Sequence, residues 1–303
     1  VRSRGLGDVY KRQLLNLIGV MTGDLTQEQR SLVSFALTSI YEDFGFTEDY
    51  ASLYTDDVVL NEKGEFIHHG QKRRMPTFSD FHAKLCEVAK VPGNETLMSI
   101  ANALRMFTKD GVYGMFDCET DESVANYKDS PVICFDVKGL EENVLRPIGM
   151  YIALSWAWDK FAKKNPKIKK RIVCDEAWML TNPNMSGYQY TADFLQTCAR
   201  RSRKRNCSLL CASQNFKEFV SCPQGEAVLT NAVVNIFLKQ APTDIDALQE
   251  KFKLSNGERS YLLSPRKGHF LLKMASEGTV GFAYSTDYEK YLIERHTIAD
   301  KSI

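Results

Sequence analysis

The segment RIVCDEAWML, residues 171–180, ends a short apolar run with two adjacent carboxylates, Asp175 and Glu176. Such a run predicts a buried strand whose carboxyl end meets solvent. In an open parallel sheet, ligands bind beyond those strand ends. Asp136, near the end of PVICFDV, and Gln214, closing CSLLCASQ, would lie along the same rim. An Asp-Glu pair placed there suits nucleotide hydrolysis: Asp175 holds a magnesium ion, largely through water, and Glu176 takes a proton from the attacking water. Gln214 would contact that water or the γ-phosphate. Acids also end many strands merely because the ends are solvated, so the pair by itself leaves both readings open.

A second group of residues bears on the same chemistry. ARRSRKRN carries Arg200, Arg201, Arg203, Lys204 and Arg205 between a helical pattern and the Gln214 strand. Cations favour a helix C-terminus, which accounts for the cluster as a solvated helix end. The functional account is that one or two of these arginines reach a γ-phosphate bound by a neighbouring subunit, where a guanidinium is worth a rate factor of roughly 10³–10⁵. Others could meet the phosphates of DNA. His68 and His69 stand in a polar loop without carboxylates at ligand spacing, which argues against a metal site.

The elements that must position these groups fall into two textures. Residues 24–110 read as helices with no convincing strand. Thr26 and Gln29 form a capping box before a stripe of Leu32, Phe35, Ala36 and Ile40, and Thr77 with Asp80 caps a second helix bearing Phe78, Phe81, Leu85 and Val88. After residue 130 apolar runs alternate with helical patterns: PVICFDV, RIVCDEA, CSLLCASQ and VVNIFLKQ as strands, HFLLKMA and VGFAYS as a closing pair. Continuous rather than alternating apolar strands predict a mostly parallel sheet flanked by helices. The long helix from EENVLRP to AKKN begins with acids and ends with lysines, as the macrodipole prefers.

In this order (FDV, long helix, IVCDEAW, helix, ARxxRK, LLCASQ) the chain resembles the conjugative-transfer and type IV secretion ATPases, members of the RecA-like hexameric DNA-translocase superfamily. The resemblance extends through NLIGVMTGDLTQEQRSLVSFAL and PTFSDFHAKL, similar to that family's all-helical insertion, and GVYGMFD, similar to the return into its core. It implies an α/β, RecA-like core over residues 126–303, preceded by an all-helical subdomain over 15–125. Asp175 and Glu176 would be the Walker B element, Arg200 and Arg203 the arginine-finger candidates, and Lys204 and Gly268 contacts to the nucleotide. The implied cofactors are ATP and Mg2+. The implied partners are five further copies in a homo-hexamer, other secretion-channel components and DNA, with membrane contact only through partners. The implied location is the cytoplasm, at the inner face of the bacterial membrane. A DNA translocase or coupling-protein motor of the same superfamily, and a non-catalytic helical interaction module, are the alternatives.

One departure is plain. A P-loop reads GxxxxGK[ST], and no Gly-Lys pair occurs anywhere in the 303 residues. The family carries that loop upstream of its helical insertion, so the chain reads as the C-terminal part of an ATPase, inactive alone. Its P-loop strand would also be missing from the sheet, leaving one edge of SLLCASQ without its ladder partner. Residues 1–14, basic and with no periodicity running on into LLNLIGV, read as a non-native or disordered segment.

The totals agree with a soluble globular protein: 44% hydrophobic, 25% charged, net charge +1. No apolar run reaches the ~18 residues of a membrane span. The eight cysteines form no CxxC pair and read as buried free thiols of a reducing compartment.

Overall fold

The computed structural model describes residues 4–23, 25–55, 59–62, 66–68, 71–119, 130–163, 166–275 and 277–299. The boundary expected between residues 125 and 126 lies outside them, as does His69.

The chain opens with helix α1 (Arg4–Thr22), which begins inside the stretch expected to be disordered and runs through residue 14 without a break. Gln13 donates from its amide to the carboxylate of Asp159, so the first helix is tied to the far half of the molecule. Helix α2 (Gln27–Asp43) starts at the predicted capping box: Thr26 Oγ1 accepts from Gln29 N–H at 3.2 Å, and Gln29 Oε1 from Thr26 N–H at 2.9 Å. Gly45, at φ +80°, turns the chain out of it. Its buried stripe is Val33, Ala36, Leu37 and Ile40, whereas the predicted Phe35 is 60% exposed. A small antiparallel hairpin, β1 (Val59–Leu60) and β2 (Phe66–His68), occupies a region expected to hold no strand. Helices α3 (Phe78–Ala89), capped by Thr77 and Asp80, and α4 (Thr96–Leu104) complete the helical unit.

PVICFDV does not join a sheet. Residues 132–137 run irregularly, with Val132 81% exposed. An apolar run becomes a strand only where a neighbour satisfies its backbone, and none of the described strands lies beside this one.

Helix α5 (Leu145–Trp156) continues into a π-helical turn at Ala157–Ala162. Its faces serve two cores. Leu145, Ile148 and Tyr151 pack with Ile18, Val33 and Leu85 of the helical unit, while Met150 and Leu154 pack with Ile172, Leu195 and Cys207. Strands β3 (Lys170–Cys174) and β4 (Cys207–Cys211) form a parallel pair, linked through helix α6 (Tyr188–Arg201). Their ladder continues one step further, where Ala212 N–H donates to the Cys174 carbonyl and Ala177 N–H to the Ala212 carbonyl, both at 2.9 Å.

The single, mostly parallel sheet predicted from the sequence is not what the described strands make. After the short helix α7 (Phe216–Phe219) and α8 (Pro223–Asn231), strand β5 (Val234–Phe237) pairs antiparallel with β6 (His269–Met274), and β6 with β7 (Glu277–Phe282). This three-stranded sheet covers a third core with α9 (Ile245–Phe252) and α10 (Asn256–Leu263), and helix α11 (Asp287–Ala299) follows. Among the described strands, β3 and β4 pair only with each other. The fold is therefore mixed α and β, with one small parallel sheet. Among the described residues, no helix is long and apolar enough to cross a membrane.

The cysteines are all free, and the expectation of buried thiols holds for Cys174, Cys198, Cys207 and Cys222, whereas Cys118 and Cys134 are exposed. Burial, first of all, pushes the Cys211 thiol up to about 12.

Candidate functional site

Where β3 ends, the backbone turns sharply. Glu176 sits at φ 48°, ψ 40°, in the left-handed region that costs a residue with a Cβ about 1–2 kcal/mol. The turn is pinned by the ladder bonds of Ala177 and Ala212 and followed by a 3₁₀ turn, Ala177–Leu180, whose Ala177, Met179 and Leu180 are buried. Both oxygens of the Glu176 carboxylate are engaged. Oε2 accepts from the indole N–H of Trp178 at 2.6 Å, and Oε1 from the amide of Gln214 at 2.5 Å. Two residues from separate strand ends, 38 apart in sequence, thus meet through one hydrogen bond. Asp175 is exposed, with Oδ1 accepting from Glu176 N–H at 3.0 Å.

Glu176, Trp178 and Gln214 line a cavity of ≈ 430 Å³ together with Glu142, Arg146, Asn215 and Asp244. Arg146 stands in the first turn of α5. Its Nη2 donates to the carbonyls of Leu140 (3.2 Å) and Lys138 (3.3 Å), Nη1 lies 3.8 Å from the Glu142 carboxylate, and the buried Nε has no hydrogen-bond partner among the described residues. Asn215 caps α7 by accepting from Glu218 N–H, which fixes the chain just past Gln214. Asp136, the other rim candidate, is used locally: Oδ1 accepts from Lys138 N–H at 2.9 Å.

Arg200, Arg203 and Lys204 are exposed and stand at the opposite end of the strand pair. Arg203 lines a separate hollow of ≈ 560 Å³ with Lys169, Lys170, Arg171 and Ser208, at the amino ends of β3 and β4. Lys170 pairs with Cys207 there, and Cys174 with Cys211 near the carboxylates. At ~3.3 Å per residue the two ends are roughly 13 Å apart along the strands. Within one chain the cationic group and Glu176 do not share a cavity. In Lys170 burial is the largest cause of a lowered pKa, and the Arg205 cation adds to it.

Gly268 lies in neither hollow. Its φ is +81°, a Cβ there would sit 2.5 Å from the Ala283 carbonyl, and its own carbonyl accepts from Ala283 N–H at 2.8 Å. The close approach of Ala283 at the open end of the β6–β7 hairpin accounts for the glycine.

Among the described residues no group of three or more His, Cys, Asp or Glu is arranged to hold a metal ion. Magnesium keeps several waters and takes only one or two carboxylates beside phosphate oxygens. The hard oxygens of Asp175, next to Glu176, fit that requirement.

Sequence reasoning missed Trp178, Arg146, Glu142, Asn215 and Asp244. For Trp178 a signal existed, an indole donor two residues beyond a carboxylate. The others come from separate loops and helix ends that only the fold brings together.

The chain aligns with the solved structure of VirB4 from Thermoanaerobacter pseudethanolicus at a TM-score of 0.71 and 24% identity, over 93% of this chain and 71% of that one. The two share a fold. No family model matches the sequence, and no curated protein matches it.

Proposed function

We propose that this chain is the Walker B and arginine-finger part of an ATP-hydrolysing motor of the type IV secretion and conjugative-transfer kind, with a RecA-like core. The observation that carries the reading is the junction of Glu176 and Gln214 at the carboxyl ends of a parallel strand pair, beside a cavity of ≈ 430 Å³. The fold shared with VirB4 and the sequence resemblance described above support it.

In this mechanism Asp175 would hold the magnesium ion and Glu176 is the general base. Magnesium, when bound with ATP, supplies charge neutralisation at the phosphates. Gln214 orients the attacking water, or reads the γ-phosphate, once it releases Glu176 Oε1. Arg200 and Arg203 stand at the far end of the strand pair, an arrangement suited to serving a neighbour's nucleotide in a ring, with Lys204 beside them. That ring would work with secretion-channel components, and with DNA, at the cytoplasmic face of the membrane. Nothing in the 303 residues reads GxxxxGK[ST], so on this reading a segment outside them holds the phosphates.

The test is ATP turnover in two preparations. The 303-residue chain should show no magnesium-dependent hydrolysis. In protein extended upstream through a P-loop, Glu176→Gln should lower kcat by roughly 10²–10⁴-fold, the usual contribution of a general base. Hydrolysis by the short chain, or an extended Glu176→Gln variant with undiminished kcat, would overturn the assignment.

A further inference from the structure

We propose that Trp178 is a positioning residue for Glu176, a single-donor clamp that fixes which carboxylate oxygen faces the reacting water. The inference rests on Glu176 being the base, and it goes beyond the residues assigned so far. An indole N–H donates and cannot accept, so its bond to Oε2 at 2.6 Å has only one sense. A glutamine amide offers two donors and an acceptor, so Gln214 is free to exchange its partner at Oε1.

The two donors also differ in how they are held. Trp178 belongs to the 3₁₀ turn whose Ala177 and Leu180 are fully buried, and its partly buried ring packs against the core of β3, α5 and α6. Gln214 is exposed, in the loop beyond β4. The clamp is therefore rigid on the Oε2 side and exchangeable on the Oε1 side. Glu176 needs such a partner, because its left-handed backbone starts the side chain from an unusual direction at a site open to solvent. Without the indole donor the carboxylate would be free to turn either oxygen toward water. With it, Oε2 is held and Oε1 is left to the exchangeable Gln214, in the cavity that Glu176, Trp178 and Gln214 line together.

Two measurements test the proposal. The 303-residue chain has three tryptophans, Trp156, Trp158 and Trp178, and nitrogen-15 labelling gives one indole N–H signal for each. Glu176→Gln should move the Trp178 signal strongly and leave those of Trp156 and Trp158 in place. An unmoved Trp178 signal overturns the contact. In the P-loop-containing protein, Trp178→Phe keeps an aromatic ring at the packed position and removes the N–H donor. It should lower kcat by ~10- to 100-fold, the scale of a misplaced catalytic group, with KM for ATP unchanged. The protein should still fold cooperatively at a modestly lower midpoint, as the smaller ring fills less of its site. Loss of kcat in Glu176→Gln but not in Trp178→Phe overturns the clamp and leaves the ATPase reading standing. Retained kcat in both removes the base assignment itself.

Discussion

Replacing Glu258 by alanine should destabilise the chain far more than replacing its partner, Lys273, by methionine. Lys273 lies on β6, its side chain 6% exposed, with Nζ 3.2 and 3.4 Å from the two Glu258 oxygens. Glu258 is also the N3 residue of α10, where Oε2 accepts from Ser255 N–H at 2.7 Å and from Ser255 Oγ at 3.0 Å. Removing the carboxylate undoes half of the capping box, worth about 1 kcal/mol. It also leaves an ammonium in the core without its counter-charge, which costs about 3–5 kcal/mol when both partners are fully buried. Glu258 is 20% exposed, so water can replace part of its contribution; about 2–3 kcal/mol is the reasonable share, and the expected total is about 3–4 kcal/mol. Lys273→Met removes the charge and keeps the apolar stem, with Glu258 still bonded to Ser255, so a change of no more than about 1 kcal/mol is expected. The double variant should then be about 2 kcal/mol more stable than Glu258→Ala alone, since the orphaned ammonium has gone. Equilibrium unfolding in urea at pH 7 measures all three. A loss below about 1 kcal/mol for Glu258→Ala, a Lys273→Met variant equally damaged, or a double variant additive to within about 0.5 kcal/mol would refute this account of the pair.

The acid limb of stability should carry the signature of Asp117. Burial pushes its carboxyl up, but donors from Ser79 and Lys109 outweigh this and hold it below the usual range, as Ser255 and Lys273 do for Glu258. A depressed folded pKa stabilises above the unfolded value of about 4 and the contribution fades as pH falls through the folded one. Urea midpoints should therefore drop from pH 5 to pH 3, and Asp117→Asn should flatten that drop while costing about 1–2 kcal/mol at pH 7; an unchanged slope counts against the assignment. Two glycines should behave oppositely. A Cβ at Gly225 would lie 1.8 Å from the Phe219 carbonyl, so Gly225→Ala should lose about 2–3 kcal/mol, whereas Gly257, with nothing nearer than 3.9 Å, should gain about 0.5–1 kcal/mol as alanine. Melting temperatures moving the same way in both variants would contradict the packing seen here.

Local signals in the sequence were legible where the physics is local. The Thr26–Gln29 and Thr77–Asp80 boxes are found as read, because a cap needs only residues three apart. The hairpin ending in Phe282 was also visible as a pair of apolar runs. Sheet membership was not legible, because it depends on partners far away in the chain. PVICFDV has the composition of a strand and no ladder, and β5 turned to an antiparallel neighbour instead of extending the parallel pair. Phe35 shows a related limit: its place on the α2 wheel suits a core, but the neighbouring helices pack against Val33 and Leu37 instead. At the candidate site, Asp175, Glu176 and Gln214 could be named from strand ends alone. Their geometry could not, since the left-handed turn and the Trp178 bond follow from how the chain is pinned beyond β3.

Helix α5 acts as a stiff beam set into two foundations. Over its 12 residues, about 18 Å of rise, one face is fixed in the helical unit's core and another in the core beneath β3 and β4. Arg146, at its first turn, forms part of the wall of the Glu176 cavity. Displacing the helical unit would therefore load this beam and shift that wall, and widening the cavity would load the same helix from its other foundation.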